Sequence, residues 1–336
     1  MASTPDNTST MKIGLVRLLD AAPYILAGEL GYFQEEGLRV QLHWELGWAT
    51  IKHKIAYGEL DAAHALAPQP LAISVGYDVA ARPCRALMVT SRLGNGITLS
   101  NNIRERGVSS SDDFRAEVRS MRGQRLYKLG VVSLDSCHYF LLRQWLTSIR
   151  LDPDRDVKIV VIPPGQAVRN LRAATLDGFC VGEPWNSLAV REGLGWTVAM
   201  SNDLAPNHPE KVLIALESKI ADRPDQYEGL IKALKRACQF CSNPENNSRV
   251  ARQMRRSQVL GTTAQGIEKI LRGEYDRGTG LDFLPEPVID FGANGGTDIS
   301  AADVAWIILS TKLAEWRGTS ASEIIELASK VYPTAK

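Results

Sequence analysis

The chain has 336 residues, 44% of them hydrophobic and 23% charged, a composition of folded globular protein with room for two domains. Its 39 lysines and arginines against 38 aspartates and glutamates leave a formal charge of +1, so no overall field exists to hold a nucleic-acid backbone or an anionic membrane. No run of 18 apolar residues is present, so neither a membrane span nor direct nucleic-acid binding is expected, and a charged ligand has to be caught locally.

Residues 1–10 form a polar leader with neither the basic nor the apolar region of an export signal, which predicts a cytoplasmic protein; a receptor whose signal has been removed is the competing expectation. Ile13 to Leu18 reads as a short buried strand, with Asp20 as a helix cap. Ala22, Ile25, Leu26, Leu30 and Phe33 then recur at helical spacing until Gly31 and Gly37 end the run. Leu38, Val40, Leu42 and Trp44 alternate as a strand. The polar stretch from Asn101 to Arg125 predicts a surface helix or excursion. Gly130-Val131-Val132 leads to Ser136, a cap for a helix whose apolar face is Leu141, Leu142, Trp145, Leu146 and Ile149. Lys158 to Ile162 is a further strand, stopped by Pro163-Pro164, and Gly278 to Gly296 reads as a long loop before a helix over 301–315.

An internal echo pairs Gly14 with Gly130, Asp20 with Asp135, Tyr24 with Tyr139, Leu60-Asp61 with Leu176-Asp177 and Pro68 with Pro184, with one slip of register. A repeat this long predicts two α/β lobes of one architecture, each pointing the loops after its strands at a shared cleft. Residues 11–92 plus 206–336 are assigned to the first lobe and 93–205 to the second.

Enzyme chemistry finds little support. There is no nucleophile elbow, no zinc-protease pair and no phosphate loop, and Gly94-Asn95-Gly96 is too short to stand in for one. The five histidines, His43, His53, His64, His138 and His208, offer no closely spaced metal pair, so neither metal nor cofactor is expected. Five cysteines make an odd, scattered count that argues against disulfides, and Cys238-x-x-Cys241 falls on the apolar spacing of Ile231 and Leu234, as core thiols do.

Polar side chains at strand-to-helix turns stand out instead. Trp48, in Gly47-Trp48-Ala49-Thr50, either lends an indole N–H to the cleft or is a core aromatic. Asn95, between two glycines, is either a ligand donor or a turn former. His138 lies in the first turn of its helix, where free N–H groups and the helix dipole favour an anion and lower an imidazole's pKa; a surface histidine is the alternative. Gln166 after Pro163-Pro164-Gly165, and Gly182 in Cys180-Val181-Gly182-Glu183-Pro184-Trp185-Asn186, repeat the strand-end geometry. Lys211 opens the strand Lys211 to Leu216 and offers one full positive charge, or is simply solvated, while its neighbour Glu210 is expected to face the other way.

The strings APYILAGELGYFQEEGL, GWATIKHKIAYGELDAAHALAPQPLA and LDPDRDVKIVVIPPGQAVRNLRAATLDGFCVGEPWN, followed by HPEKVLIAL, resemble the nitrate- and bicarbonate-binding receptors of ABC importers, the NrtA/CmpA-like family. The resemblance implies a periplasmic-binding-protein-like (type II) α/β fold closing on an anion. It carries the family's nitrate pocket onto Trp48, Asn95 (where transport members often have glutamine), His138 and Lys211. Within that family the chain looks like the NasS-type cytoplasmic nitrate/nitrite sensors, which implies an ANTAR-type, RNA-binding antiterminator (NasT-like) as protein partner, held without ligand and released with it. A receptor of a nitrate importer is the runner-up. An enzyme resembling thiamin-pyrimidine synthases is a third reading, for which Cys137-His138 is the one reactive pair.

Overall fold

Among the described residues, every strand falls into one of two sheets. A computed structural model describes residues 10–257, 260–280, 288–294, 296–310 and 320–334. The strands are β1 (Met11–Val16), β2 (Val40–Glu45), β3 (Ala62–Leu66), β4 (Cys84–Leu93), β5 (Asn95–Ser100), β6 (Tyr127–Val131), β7 (Val157–Val161), β8 (Gly178–Gly182), β9 (Gly195–Met200), β10 (Pro209–Leu216) and β11 (Ile289–Asp290). The first sheet has the order β11-β4-β10-β3-β1-β2 and the second β7-β6-β8-β5-β9. β3, β5, β8 and β10 are buried along their whole length, so the polar residues they carry, among them His64, Asn95, Glu210 and Lys211, are buried with them.

The internal echo is a repeat of topology. β1 is flanked in parallel by β2 and β3, with β10 antiparallel to β3; β6 is flanked in parallel by β7 and β8, with β5 antiparallel to β8. Two sets of echoed residues do the same work in both halves. Asp61 accepts a hydrogen bond from the Lys12 amide at 2.8 Å and returns one to its carbonyl at 2.9 Å; Asp177 clamps Lys128 with the same two bonds at 2.8 and 2.9 Å. A Cβ on Gly14 would lie 2.5 Å from Leu60 Cδ1, and one on Gly130 2.9 Å from Leu176 Cδ1, so each glycine makes room for the leucine that precedes its aspartate.

The chain crosses from the first sheet to the second at Gly94 (φ +90°), directly after Leu93 (φ +61°), and returns between Met200 and Pro209. Where the two halves meet, Leu19 N donates to Glu183 O at 2.9 Å and Lys52 Nζ pairs with Asp135 Oδ2 at 3.1 Å. One apolar cluster runs across the junction, holding Leu18 and Trp48 from one side and Val132, Phe179, Val181 and Trp185 from the other.

Ser136 caps the helix Cys137–Ser148 as expected, its hydroxyl accepting from Tyr139 N at 3.1 Å. Asp20 is no cap: it sits in a 3-10 turn, Leu19–Ala21, and the helix Ala22–Glu29 starts after Ala21 without a side-chain acceptor. That helix stops before Gly31 (φ +79°), and Phe33 belongs to a separate short helix, Tyr32–Glu35. The 101–125 stretch forms helices Asn101–Arg104 and Ser111–Ser120. The helix expected over 301–315 runs Ala301–Ser310; residues 311–315, residues 281–287 and 295 of the expected loop, and residues 1–9 of the leader lie outside the described residues. All five cysteines are buried and unpaired.

Candidate functional site

The site is built on an irregularity in β10. Its register against β4 slips between Pro209 and Lys211 and again between Lys211 and Val212. In a regular strand Glu210 and Lys211 would point to opposite faces; a bulge removes that alternation and re-aims side chains. Both therefore converge on one buried cluster, and the expectation that Glu210 turns away is corrected.

Lys211 Nζ lies 2.6 Å from Glu210 Oε1 and 2.8 Å from Asp20 Oδ2, with all three side chains buried. The other Glu210 oxygen, Oε2, accepts from Asn95 Nδ2 at 2.6 Å, a bond from the second sheet to the first, and lies 3.2 Å from His208 Nε2. Lys211 Nζ stands 5.3 Å from the centre of the Trp48 ring, within cation–π range. His138 Nε2 is 3.7 Å from Glu210 Oε1, and His64 Nε2 is 3.0 Å from Asp20 Oδ1 without the alignment of a hydrogen bond.

Charge is fixed firmly here. Burial pushes Asp20 and Glu210 upward, but Lys211 and the neighbouring histidines outweigh it and hold both carboxyls below their usual range. Burial acts to lower Lys211, and the two carboxylates more than reverse that, leaving a committed ammonium. For His138 burial wins, taking it down to about 4, with Glu210 opposing; His64 is also lowered, chiefly by burial. The lowered pKa of His138 has the expected direction, but its main cause is loss of water around the ring and not the helix terminus.

Among the four residues carried over from the family pocket, all are fully buried and adjoin this cluster. Trp48 Nε1, Asn95 Oδ1 and both ring nitrogens of His138 have no hydrogen-bond partner among the described residues, although each is shut away from water. Unpaired buried polar atoms are costly, and several of them gather around one ammonium. Gly182 lies opposite Asn95 in the β5–β8 register, where a Cβ would meet Leu18 at 3.3 Å and Asn95 Oδ1 at 3.5 Å, so its bareness admits protein neighbours. Gln166 is not part of the group: it ends a 3-10 turn after the edge strand β7, is exposed, and bonds through its backbone, its amide to Pro163 O and its carbonyl to Asn170 Nδ2.

Asp20, His64, His208 and Glu210 escaped the sequence reading. The signal for two of them was there: His64 interrupts the apolar run of β3, and Glu210-Lys211 is a charged pair inside a strand buried throughout. A groove of about 1170 Å³, lined by Tyr139, Arg143, Trp306 and Leu309 among others, touches none of the cluster, so chemistry and not hollow size marks the site.

Residues 4–255 match the NMT1-like family. The chain belongs to that family. Over 311 residues it is 37% identical to the nitrate import ATP-binding protein NrtC of Synechocystis, covering 91% of this chain and 46% of that protein. It is 31% identical over 278 residues to the nitrate/nitrite binding protein NrtA of Synechococcus elongatus, covering 80% of this chain and 63% of the relative. The chain thus spans about half the length of the ATP-binding relatives it matches. The crystal structure of the periplasmic nitrate-binding protein NrtA from Synechocystis PCC 6803 superposes with a TM-score of 0.89 at 24% identity, covering 95% of this chain and 85% of that one. The fold is that of a periplasmic binding protein, as the motifs implied, and family membership agrees with the resemblance to NrtA/CmpA-like receptors.

Proposed function

We propose that the chain binds nitrate or nitrite between its two sheets. One observation carries the reading: buried and unpartnered, Trp48 Nε1 and the His138 ring nitrogens adjoin an ammonium, Lys211. Nitrate spreads one charge over three oxygens, so it is suited by several neutral donors and one cation better than by a single strong fork. NrtA relatives that bind nitrate or nitrite support the assignment.

Within this reading the chain is a cytoplasmic sensor. Anion binding favours the closed lobes, and closure releases an ANTAR-type, NasT-like antiterminator held by the open form. The contacts between the halves, Lys52 to Asp135 and Leu19 to Glu183, give closed and open forms different surfaces, which is what a partner needs to tell them apart. By linkage the partner then weakens anion binding by the same factor. The same site serves equally in a receptor of a nitrate importer, and the partner separates the two.

Calorimetric titration with nitrate, nitrite, bicarbonate and an alkanesulfonate tests the ligand: heat with either of the first two is expected, and its absence for both refutes the reading. Antiterminator affinity measured with and without nitrate tests the sensor; equal affinities leave the importer receptor standing in its place.

A further inference from the structure

Counting aspartate, glutamate and lysine alone, the cluster is hostile to an anion. Asp20 and Glu210 share the single ammonium of Lys211, so two carboxylates face one cation before any ligand arrives. A nitrate seated against Lys211 would bring a third negative charge to the same nitrogen, in surroundings with little water to screen it.

His208 has the geometry to supply the missing charge. Its Nδ1 lies 3.0 Å from the Ala205 carbonyl oxygen and its Nε2 3.2 Å from Glu210 Oε2, in a side chain with no exposure. A carbonyl and an ionised carboxylate accept and have no hydrogen to give. Both contacts are hydrogen bonds only when both ring nitrogens carry a proton. The other two histidines of the cluster lack this arrangement: among the described residues, His138 has no hydrogen-bond partner on either nitrogen, and His64 has none on Nδ1.

We infer that His208 is the second cation of the anion site: as an imidazolium it cancels Glu210, and it thereby makes anion binding depend on a proton that never touches the ligand. The inference rests on the anion-binding reading above. The groups that face His208 agree with it. Glu210 approaches from β10, and neutral Asn95 from β5 shares the same carboxylate oxygen. His138 acts from the helix Cys137–Ser148 and is neutral above about pH 4. The Trp306 ring, on the helix Ala301–Ser310, lies 4.9 Å away between centres. Arg92 of β4 holds the Asn207 carbonyl next door but is itself matched by Asp303 at 2.6 and 2.9 Å. Lys211, with Asp20 behind it, occupies the other oxygen of Glu210. Once the imidazolium loses its proton, the surplus carboxylate is uncancelled and the anion is repelled.

Nitrate titrations of the full chain from pH 5.5 to 9 test this. The expected result is a Kd that rises with pH, approaching tenfold per unit where one proton is linked to binding. His208→Gln keeps a donor toward Glu210 without the charge; it is expected to bind at least tenfold more weakly at pH 6 and to lose the pH slope. Adding Glu210→Gln to that variant removes the surplus carboxylate and is expected to recover affinity while remaining flat. A wild-type Kd independent of pH, with nitrate still binding, overturns the inference and leaves the anion-binding reading intact. A slope retained in His208→Gln overturns the assignment to His208. Absence of nitrate heat at every pH overturns the anion-binding reading, and the inference with it. The wild-type profile decides even if a variant does not fold.

Discussion

Lys52 and Asp135 face each other across the two halves of the molecule with Nζ 3.1 Å from Oδ2, their side chains 4% and 0% exposed. Removing one partner of such a pair leaves a buried charge unmatched, a cost of about 3–5 kcal/mol. Because the pair joins the lobes, opening relieves that cost. Lys52→Met should therefore lower the melting temperature, raise the radius of gyration in X-ray scattering and weaken the anion, while Lys52→Met/Asp135→Asn restores much of each. Unchanged scattering and melting in the single variant would show that the pair holds nothing shut.

Trp48 separates binding from folding cleanly. Its ring is fully buried, but its N–H bonds to nothing among the described residues. Trp48→Phe keeps most of the apolar volume and deletes the donor. Stability should stay within about 1–3 kcal/mol, the range for packing changes, while nitrate affinity falls roughly tenfold to a hundredfold, as for a lost hydrogen bond to a charged ligand. Calorimetry on a variant of known melting temperature measures both, and unaltered affinity would remove the indole from the pocket.

Lys211 is held by Asp20 and Glu210, so charge reversal there would assemble three buried carboxylates and damage the fold along with binding. Lys211→Met is the more informative change. It should cost about 3–5 kcal/mol by leaving the carboxylates without their cation. Adding Asp20→Asn should recover part of that loss, a coupling of about 0.5–3 kcal/mol in urea denaturation. Strictly additive costs would argue against a shared ion cluster.

Glu183 gives the protein a second pH dependence, unrelated to the ligand. Burial raises its carboxyl from an ordinary 4.5 to about 7, against hydrogen bonds from Ser187 and Tyr275. The folded state then keeps a proton that the unfolded chain releases. Stability from this group is complete below pH 4.5 and is lost as pH rises to 7. Glu183→Gln, which cannot ionise, should gain on the wild type between pH 5 and pH 8, by at most on the order of 3 kcal/mol. Denaturant unfolding at the two values measures it; an equal difference at both would mean the carboxyl titrates normally.

The sequence disclosed the fold through features that are local and repeated. Gly14 and Gly130, each followed at fixed distance by Leu-Asp, marked two copies of one strand arrangement, because a leucine that must fill a glycine's empty space leaves a spacing that can be read. The neutral members of the site were also legible: Trp48, Asn95 and His138 stand at element ends, and the motifs named them. Its electrostatics were not. Glu210 was misassigned because alternation along β10 fails at a bulge that depends on pairing with a distant strand, β4. Asp20, a good cap in isolation, is diverted by Lys211 from a strand almost two hundred residues later. Gln166 stands apart because it is exposed in a 3-10 turn after β7, a placement that its position after Pro163-Pro164-Gly165 does not reveal.

The register slip in β10 has one more effect. Asp20, Glu210 and Lys211 all ride on the first sheet with Trp48 and His64, whereas Asn95 and His138 ride on the second. Swinging the halves apart therefore parts uncharged groups from a preassembled ionic knot and leaves that knot intact. Among the described residues gaping parts Lys52 from Asp135 and, on the lobe bounds given above, Arg277 from Asp203, together with the Asn95 amide from the Glu210 carboxylate, while an incoming anion finds its ammonium already tethered.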